Sequence, residues 1–309
     1  MSTKQLRHII STSQFDRATL EKLFASAQKM EKLHKARKPS KILAGKVMAA
    51  IFYEPSTRTR LSFESAILKL GGQVISTENA AQFSSAAKGE TLEDTIRIVH
   101  SYADVIVLRH YEKGAAEIAS QYSNVPIINA GDGPGEHPTQ SMLDLYTFQK
   151  EKGKIDGLTF AFLGDSLYSR TNHSLIRLLP YYKNVKVMLC SPKELELPQP
   201  YYDLMKKHKI PYSVHRNVDE ILPKADVLIV TRVQKERFPS EQEYKKMQGT
   251  YRIDASSLKK MKKDAIITHV MPRVGEIAPE VDSDPRAAYF RQAQNGLYIR
   301  MALLEMLLK

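Results

Sequence analysis

The sequence predicts an α/β protein with parallel sheets, and three observations lead to this fold class. Short apolar segments, each with the length of a buried strand, recur along the chain. Between them lie segments in which apolar residues have helical spacing. These short segments do not alternate with polar residues, so helices are expected to cover both faces of each strand. The predicted strands lie at residues 47–52, 104–108, 125–128, 158–163, 185–190, 226–230 and 265–268.

The chain has 309 residues, which exceeds one typical domain, and we expect two doubly wound parallel-sheet domains. The first is predicted at residues 1–150 and the second at 151–285. The junction is placed at the charged segment 150–154, because a new series of strands and helices starts at Leu158. A long amphipathic helix at 286–309 needs a surface to dock on, and we expect it to return to the first domain.

Helices are predicted from apolar spacing in the order of the chain. The first begins after Asp16, a suitable N-cap residue, and a second follows strand 47–52. Further helical patterns occur at Leu92–Tyr102, Met142–Gln149 and Ser174–Leu179.

Residues 54–63 combine the parts of a phosphate-binding site at the start of the second predicted helix. Backbone N–H groups and the positive end of the helix dipole lie there, beside three hydroxyls, Arg58 and Arg60. Each arginine opposes the dipole by roughly 0.3–1 kcal/mol unless an anion joins it. This favours an anion site over the alternative of a capped helix with a solvated first turn.

Composition limits the class of protein. No apolar run of 18 residues and no signal-peptide pattern occurs, and the single Cys190 excludes an intrachain disulfide, so we expect a cytoplasmic protein without a membrane partner. The formal charge of +12 raises the question of nucleic acid or an acidic protein partner. Its lysines stand in short groups without interleaved aromatic residues, which favours solvated helix faces and no nucleic-acid partner.

Polar segments follow six of the predicted strands. In open α/β sheets ligands bind at the carboxyl ends of strands, so we expect groups from both domains to converge on one cleft. These segments are residues 56–60, 109–110, 132–140, 165–173, 232–237 and 271–276.

The chemistry of these segments indicates group transfer between anions. They hold His137, Gln140 and Gln234, but no supportable Ser-His-Asp arrangement, H-E-x-x-H, P-loop or G-x-G-x-x-G motif. We therefore expect no metal ion and no organic cofactor. The arginines in these segments are Arg58, Arg60, Arg109, Arg170, Arg232, Arg237 and Arg273.

Six motifs in order resemble those of the aspartate carbamoyltransferase family, over essentially the whole chain. S-T-R-T-R alone would be shared with ornithine carbamoyltransferases, whereas the full set is specific. The motifs are F-Y-E-P-S-T-R-T-R at 52–60, K-G-E-T at 88–91, H-P-T-Q at 137–140, S-R-T-N-H at 169–173, T-R-V-Q-K-E-R at 231–237 and M-P-R-V at 271–274.

The resemblance implies transfer of a carbamoyl group from carbamoyl phosphate to L-aspartate, an early step of pyrimidine biosynthesis. The first domain would bind carbamoyl phosphate, through Ser56, Thr57, Arg58, Thr59, Arg109, His137, Gln140, Met271 and Pro272. The second domain would bind aspartate through Arg170, Arg232 and Gln234, together with Lys88. The catalytic residues would be Arg58, Thr59, Lys88, Arg109 and His137.

The resemblance also implies a homotrimer with shared active sites. Ser84 and Lys88 would reach the site of a neighbouring subunit, and Glu54 and Arg237 would act in domain closure. A cis peptide would precede Pro272. The sequence departs from the family at His269-Val270-Met271-Pro272, where the family often has Pro-Leu-Pro, and in a lengthened loop after Arg237.

Some residues keep a second interpretation. His137 is also compatible with a satisfied core histidine, and Glu54 with an acid that balances Arg58 or Arg60. Asp165 and Ser166 are alternatively caps of the following helix.

Two rival functions remain at this stage. One is an ornithine carbamoyltransferase. The other is a scaffold that binds anionic polymers or partner subunits, and a regulatory chain or another pyrimidine enzyme is a further possible partner.

Overall fold

The computed structural model describes residues 6–234, 238, 240–247 and 249–309. The chain divides into two compact units, one formed by Met1–Leu143 with Gln294–Lys309 and the other by Asp144–Ala293. Both boundaries fall inside helices. None of the described helices is long and apolar enough to cross a membrane.

The described part of the first unit contains a four-stranded parallel sheet with the order β2-β1-β3-β4. Its strands are β1 (Val47–Phe52), β2 (Gln73–Glu78), β3 (Val105–His110) and β4 (Ile127–Asp132). Its helices are α1 (Arg17–Ala36), α2 (Thr57–Lys69), α3 (Ala80–Phe83), α4 (Leu92–Val99), α5 (Ala115–Tyr122) and the first residues of α6 (Pro138–Lys152).

The second unit contains, among its described residues, a five-stranded parallel sheet with the order β7-β6-β5-β8-β9. Its strands are β5 (Thr159–Gly164), β6 (Lys186–Cys190), β7 (Tyr212–His215), β8 (Val227–Thr231) and β9 (Ile266–His269). Its helices are α7 (Arg170–Leu178), α8 (Gln199–Lys207), α9 (Glu241–Met247), α10 (Ala255–Lys260) and the start of α11 (Tyr289–Leu308).

The predicted fold class is confirmed, with two strands that the sequence analysis missed. All seven predicted strands are present and begin within two residues of their predicted starts. The missed strands, β2 and β7, lie at sheet edges and are only partly buried. Their polar residues break the apolar run that marks a central strand. The helix predicted at Leu92–Tyr102 ends earlier, at Val99.

The central strands form the core of each sheet. In β3 the side chains of Val105, Ile106 and Val107 are fully buried, and β5 buries Phe160 and Phe162 in the same way. Burial of each such aliphatic or aromatic side chain stabilises the fold by roughly 1.5–3 kcal/mol. Cys190 is free and buried at the end of β6.

Strand register brings the polar segments to one edge within each sheet. In the first unit Phe52 lies beside Arg109, so the loop after β1 starts next to the end of β3. In the second unit Gly164 lies beside Thr231. Gly164 has φ +106°, and a Cβ there would stand 2.2 Å from the Thr231 carbonyl oxygen, so this close approach requires glycine.

Candidate active site

Helix α2 follows β1 after a loop of residues 53–56, and its N-terminus is the position of the predicted anion site. Ser56 is the N-cap residue, with φ −157° and ψ 79°, and its side chain makes no capping bond to the residues that the structure describes. The capped-helix alternative therefore does not apply to Ser56. Thr57 and Arg58 are exposed on the first turn, whereas Thr59 is buried.

Arg60 has a structural role that the sequence analysis did not recognise. Its guanidinium pairs with Glu64 at 3.2 Å and with Glu78 at 2.9 Å. Both carboxylates supply the negative charge that an arginine near a helix N-terminus needs. Arg60 therefore needs no bound anion to balance its charge.

Arg109 lies near the end of β3, beside an irregularity in the sheet. Between Leu108 and His110 the register against β4 shifts by one residue. Such bulges change the direction of a side chain next to a site. Arg109 donates to the carbonyl oxygen of Ala130 at 3.1 Å and pairs with Glu54 at 3.3 Å. Within the first unit, Glu54 therefore balances Arg109, an arginine that the alternative interpretation of Glu54 did not name.

His137 is buried and immediately precedes α6. The loop before it is fixed by two carboxylates. Asp132 accepts from the N–H of Glu136 at 2.7 Å and from that of Gly114 at 2.8 Å. Glu136 in turn accepts from the Thr12 N–H at 2.8 Å. The sequence does not reveal the contact between Thr12 and Glu136, because the two residues are far apart along the chain.

Gln140 stands on the first turn of α6, where it is half-buried. Its N–H donates to the carbonyl oxygen of His137 at 3.0 Å. The predicted carbamoyl phosphate residues of the first unit thus lie at the ends of β1, β3 and β4, the carboxyl edge of one sheet.

Ser84 and Lys88 lie in the segment between α3 and α4. The Ser84 hydroxyl donates to the carbonyl oxygen of Ala80 at 2.6 Å and caps the short 3-10 helix Ser85–Lys88. Lys88 is exposed at the end of that helix. An exposed position is compatible with the predicted role in a neighbouring subunit, which stays a prediction.

In the second unit, Asp165 connects the loops after β5 and β8. It is fully buried and accepts from the N–H of Tyr168 at 2.9 Å and from that of Gln234 at 3.5 Å. Burial raises the pKa of Asp165, against these hydrogen bonds and the charge of Arg232. The proposed capping role of Asp165 and Ser166 is wrong, because Ser169 is the N-cap of α7.

The predicted aspartate residues follow these two strands. Arg170 is the first residue of α7, and Arg232 and Gln234 directly follow β8, all three half-buried. Two planar guanidinium groups suit the two carboxylates of a dicarboxylic amino acid. Arg237 and Pro239 lie outside the described residues, whereas the loop that looked lengthened continues into helix α9, which begins at Glu241.

The loop after β9 carries Met271 and Pro272, which are joined by the expected cis peptide. Arg273, which the sequence analysis counted among the arginines of the cleft, forms a bidentate pair with Asp282 and lies 3.3 Å from the Tyr289 hydroxyl. Its charge is therefore balanced within the second unit.

His173, in the S-R-T-N-H motif, is buried, and its Nε2 lies 2.9 Å from the Ser166 carbonyl oxygen. Burial lowers its pKa to about 4. An unfolded histidine titrates near pH 6.5, so between pH 6.5 and 4 the unfolded chain binds the additional proton. We therefore expect the free energy of unfolding to fall by up to about 3 kcal/mol as pH drops through this window. Urea unfolding at several pH values measures this loss.

His173→Gln keeps a donor for Ser166 but does not titrate, and it should flatten the pH dependence of stability. His208→Gln, which replaces an exposed histidine in the same unit, is the matched control. An unchanged slope in His173→Gln would contradict the assignment.

A hydrogen-bonded series of a serine, a histidine and a glutamate lies outside the six polar segments. On edge strand β7, the Ser213 hydroxyl lies 2.7 Å from His215 Nε2, and His215 Nδ1 lies 2.6 Å from Glu220. Glu220 is exposed, whereas the acid of a hydrolase triad is buried. We interpret these contacts as ordinary hydrogen bonds between side chains on and beside a half-exposed strand.

Two family models match almost the whole chain. Residues 7–150 match the carbamoyl-P binding domain of aspartate/ornithine carbamoyltransferase, and residues 156–307 match its Asp/Orn binding domain.

Proteins with high sequence identity to this chain are named aspartate carbamoyltransferases. A chloroplastic aspartate carbamoyltransferase from Arabidopsis thaliana is 52% identical over 305 residues, which cover 98% of this chain and 78% of that protein. The aspartate carbamoyltransferase catalytic subunit from Methanocaldococcus jannaschii is 48% identical over 304 residues, 98% of each chain.

Solved structures give the same result. The catalytic subunit of M. jannaschii aspartate transcarbamoylase superposes with a TM-score of 0.91, at 48% identity over 98% of each chain. Aspartate transcarbamoylase from Trypanosoma cruzi, in complex with carbamoyl phosphate and aspartate, superposes with a TM-score of 0.93. Its identity is 39%, over 99% of this chain and 98% of that chain.

Proposed function

This chain belongs to the aspartate/ornithine carbamoyltransferase family, and from that membership and its relatives we infer its reaction. It transfers the carbamoyl group of carbamoyl phosphate to the amine of L-aspartate, giving N-carbamoyl-L-aspartate and phosphate. One observation carries this conclusion: relatives about half identical over nearly the whole chain are aspartate carbamoyltransferases. A structural neighbour binds both substrates.

We assign the carbamoyl phosphate site to the carboxyl edge of the first sheet. Ser56, Thr57, Arg58 and Thr59 hold the phosphate at the start of α2, where backbone N–H groups and the helix dipole favour an anion. The exposed position of Arg58 on the first turn of this helix supports this assignment. Arg60 pairs with Glu64 and Glu78 and is not assigned to the phosphate.

The carbamoyl carbonyl is assigned to Thr59, Arg109, His137 and Gln140, with Met271 and Pro272. The neutral aspartate amine attacks the carbamoyl carbon and a tetrahedral intermediate forms. Its C–O bond to phosphate then breaks, and the leaving phosphate accepts a proton from the amine. Fixed donors that point at the developing oxyanion are each worth on the order of 100- to 1000-fold in rate. The fixed position of Arg109, between Ala130 and Glu54, supports such preorganisation.

Aspartate is assigned to Arg170, Arg232 and Gln234 in the second unit, together with Lys88. The hydrogen bonds of Asp165 to the loops after β5 and β8 support a fixed spacing of these groups. Two carboxylates distinguish aspartate from ornithine, whose side chain ends in an amine. A site with two arginines therefore favours aspartate.

The oligomeric state, the pathway and the cellular location are also part of this proposal. We place the enzyme in de novo pyrimidine biosynthesis in the cytoplasm, as a homotrimer in which Ser84 and Lys88 act in a neighbouring subunit. The exposure of Lys88 supports the shared site. The assignment of Glu54 and Arg237 to closure on the substrates is kept as a prediction, as is binding of a regulatory chain or another pyrimidine enzyme.

The reaction is tested by release of phosphate from carbamoyl phosphate with L-aspartate, with L-ornithine or with no acceptor. We expect one phosphate per carbamoyl aspartate, and release with aspartate only. Citrulline formation from ornithine would contradict the assigned acceptor. If phosphate is released with neither acceptor, the result would instead favour the scaffold function.

Arg232→Ala is expected to raise the KM for aspartate about 10- to 100-fold, because it removes a charge-assisted pair to one carboxylate. The KM for carbamoyl phosphate should change little, since that substrate is assigned to other residues. Steady-state kinetics with each substrate varied in turn separates the two effects.

Arg252→Ala, which removes an exposed arginine of the same unit, is the control and should leave both constants unchanged. An equal rise in both KM values for Arg232→Ala would argue against a dedicated aspartate residue.

A further inference from the structure

The loop after β9 holds an unusual backbone conformation. Met271 has φ +59°, in the left-handed region that residues with a side chain rarely adopt. Such a conformation persists only where the surroundings fix it, and it is found preferentially at functional sites. Two side chains of the second unit, His269 and Glu276, supply the contacts that fix this loop.

His269 is the last residue of β9, and its side chain is completely buried. Its Nδ1 accepts from the backbone N–H of Met271 at 2.7 Å. A ring nitrogen that accepts carries no proton, so the proton of the neutral imidazole is on Nε2. The backbone of His269 is held as well, because its N–H donates to the Gln292 side chain at 2.9 Å.

Glu276 uses one carboxylate oxygen for each of two donors. Oε1 accepts from His269 Nε2 at 2.7 Å, and Oε2 accepts from the Val274 N–H at 2.9 Å. Burial alone would raise the pKa of Glu276, but the bonds from His269 and Val274 outweigh it and lower the pKa. The Glu276 carboxylate thus fixes the tautomer of His269 and also holds the backbone of the loop at Val274.

We propose that Glu276, acting through His269, is a positioning residue that sets the Met271–Pro272 backbone against the carbamoyl group. The inference rests on the proposed function, which assigns Met271 and Pro272 to carbamoyl phosphate. Phosphate itself is assigned to the first turn of α2. The pair therefore acts on recognition of the carbamoyl end of the substrate and leaves recognition of the phosphate end unchanged.

Glu276→Gln tests the proposal with almost no change in shape. An amide offers one oxygen acceptor and one NH₂ donor, so either His269 or Val274 would face a donor in place of an acceptor. We expect the KM for carbamoyl phosphate to rise about 10- to 100-fold, since an unmatched buried donor disrupts the loop. The inhibition constant of inorganic phosphate should stay within about twofold, as expected when the cradle for the phosphate group is intact.

The matched control is Glu280→Gln, an exposed acid in the following 3-10 helix Pro279–Ser283. It removes the same charge near the same loop and should leave both constants unchanged. Circular dichroism and thermal unfolding show whether each variant is folded.

A second pair of variants reads out the two nitrogens of His269 separately. In His269→Asn the amide oxygen can replace the Nδ1 acceptor for Met271, whereas in His269→Gln the amide nitrogen can replace only the Nε2 donor for Glu276. We expect the KM for carbamoyl phosphate to be lower in His269→Asn than in His269→Gln. This comparison does not depend on how well Glu276→Gln folds.

The outcomes separate this inference from the proposed function. Wild-type protein that makes no carbamoyl aspartate would overturn the proposed function. Active wild-type protein with an unchanged carbamoyl phosphate KM in Glu276→Gln would overturn only the positioning role. So would an equal loss of phosphate and carbamoyl phosphate affinity, since that indicates general damage to the fold.

Discussion

Replacing Arg58 by alanine is expected to reduce turnover at least about 100-fold while the fold stays intact. The side chain is exposed on the first turn of α2 and opposes the helix dipole, so its removal should cost no stability. Its charge is expected to act on the phosphate as the carbamoyl bond breaks. Loss of one such electrostatic contact typically costs on the order of 100- to 1000-fold in rate. Steady-state kinetics gives kcat, and thermal unfolding measures the fold.

Arg97→Ala is the matched control, because Arg97 is an exposed arginine on helix α4 of the same unit. It should retain wild-type kinetics. His137→Ala is expected to lose turnover to the same degree as Arg58→Ala, since His137 is assigned to the carbonyl oxygen. Wild-type kinetics in either active-site variant would refute the assigned roles.

Mixing two nearly inactive variants is expected to restore activity if sites are shared between subunits. Lys88→Ala and Arg58→Ala each damage every site of their own trimer. In a mixed ring, one site receives Lys88 from one chain and Arg58 from the other. With random exchange in a closed three-fold ring, about one quarter of all sites should be intact. Activity after mixing measures this fraction.

Mass spectrometry of differently tagged chains shows whether subunits exchange. Mixing Arg58→Ala with His137→Ala is the control, because both residues are assigned to the same chain of a site and no recovery is expected. Absent recovery of the Lys88 and Arg58 pair, despite demonstrated exchange, would contradict a shared site.

The sequence predicted the buried strands, including the edge strands β4 and β9, and missed the two edge strands that are only partly buried, β2 and β7. β1, β5 and the first four residues of β3 are almost entirely apolar because both faces are buried. β2 and β7 are only partly buried and carry polar residues such as Gln73, Ser76 and Ser213, so no apolar run marks them. Their existence depends on pairing with β1 and β6, which apolar periodicity does not report.

The candidate site was predictable where residue type alone determines the chemistry. The motif around Arg58 and the polar segment that carries His137 after a predicted strand could both be found in the sequence. The roles of Arg60, Glu136 and Glu276 could not, because each depends on a contact with a particular partner in the fold. An arginine beside a phosphate and an arginine beside two glutamates look alike until the partners are placed.

The central claim is that this chain joins the carbamoyl carbon to the aspartate amine. The most direct test is an NMR measurement on purified protein with ¹³C-labelled carbamoyl phosphate, ¹⁵N-labelled L-aspartate and equimolar unlabelled L-ornithine. We predict a product in which the carbamoyl ¹³C shows one-bond coupling to ¹⁵N, with no labelled citrulline. Absence of the coupled product, with the ¹³C label found only in citrulline or in the hydrolysis product of carbamoyl phosphate, would contradict this claim.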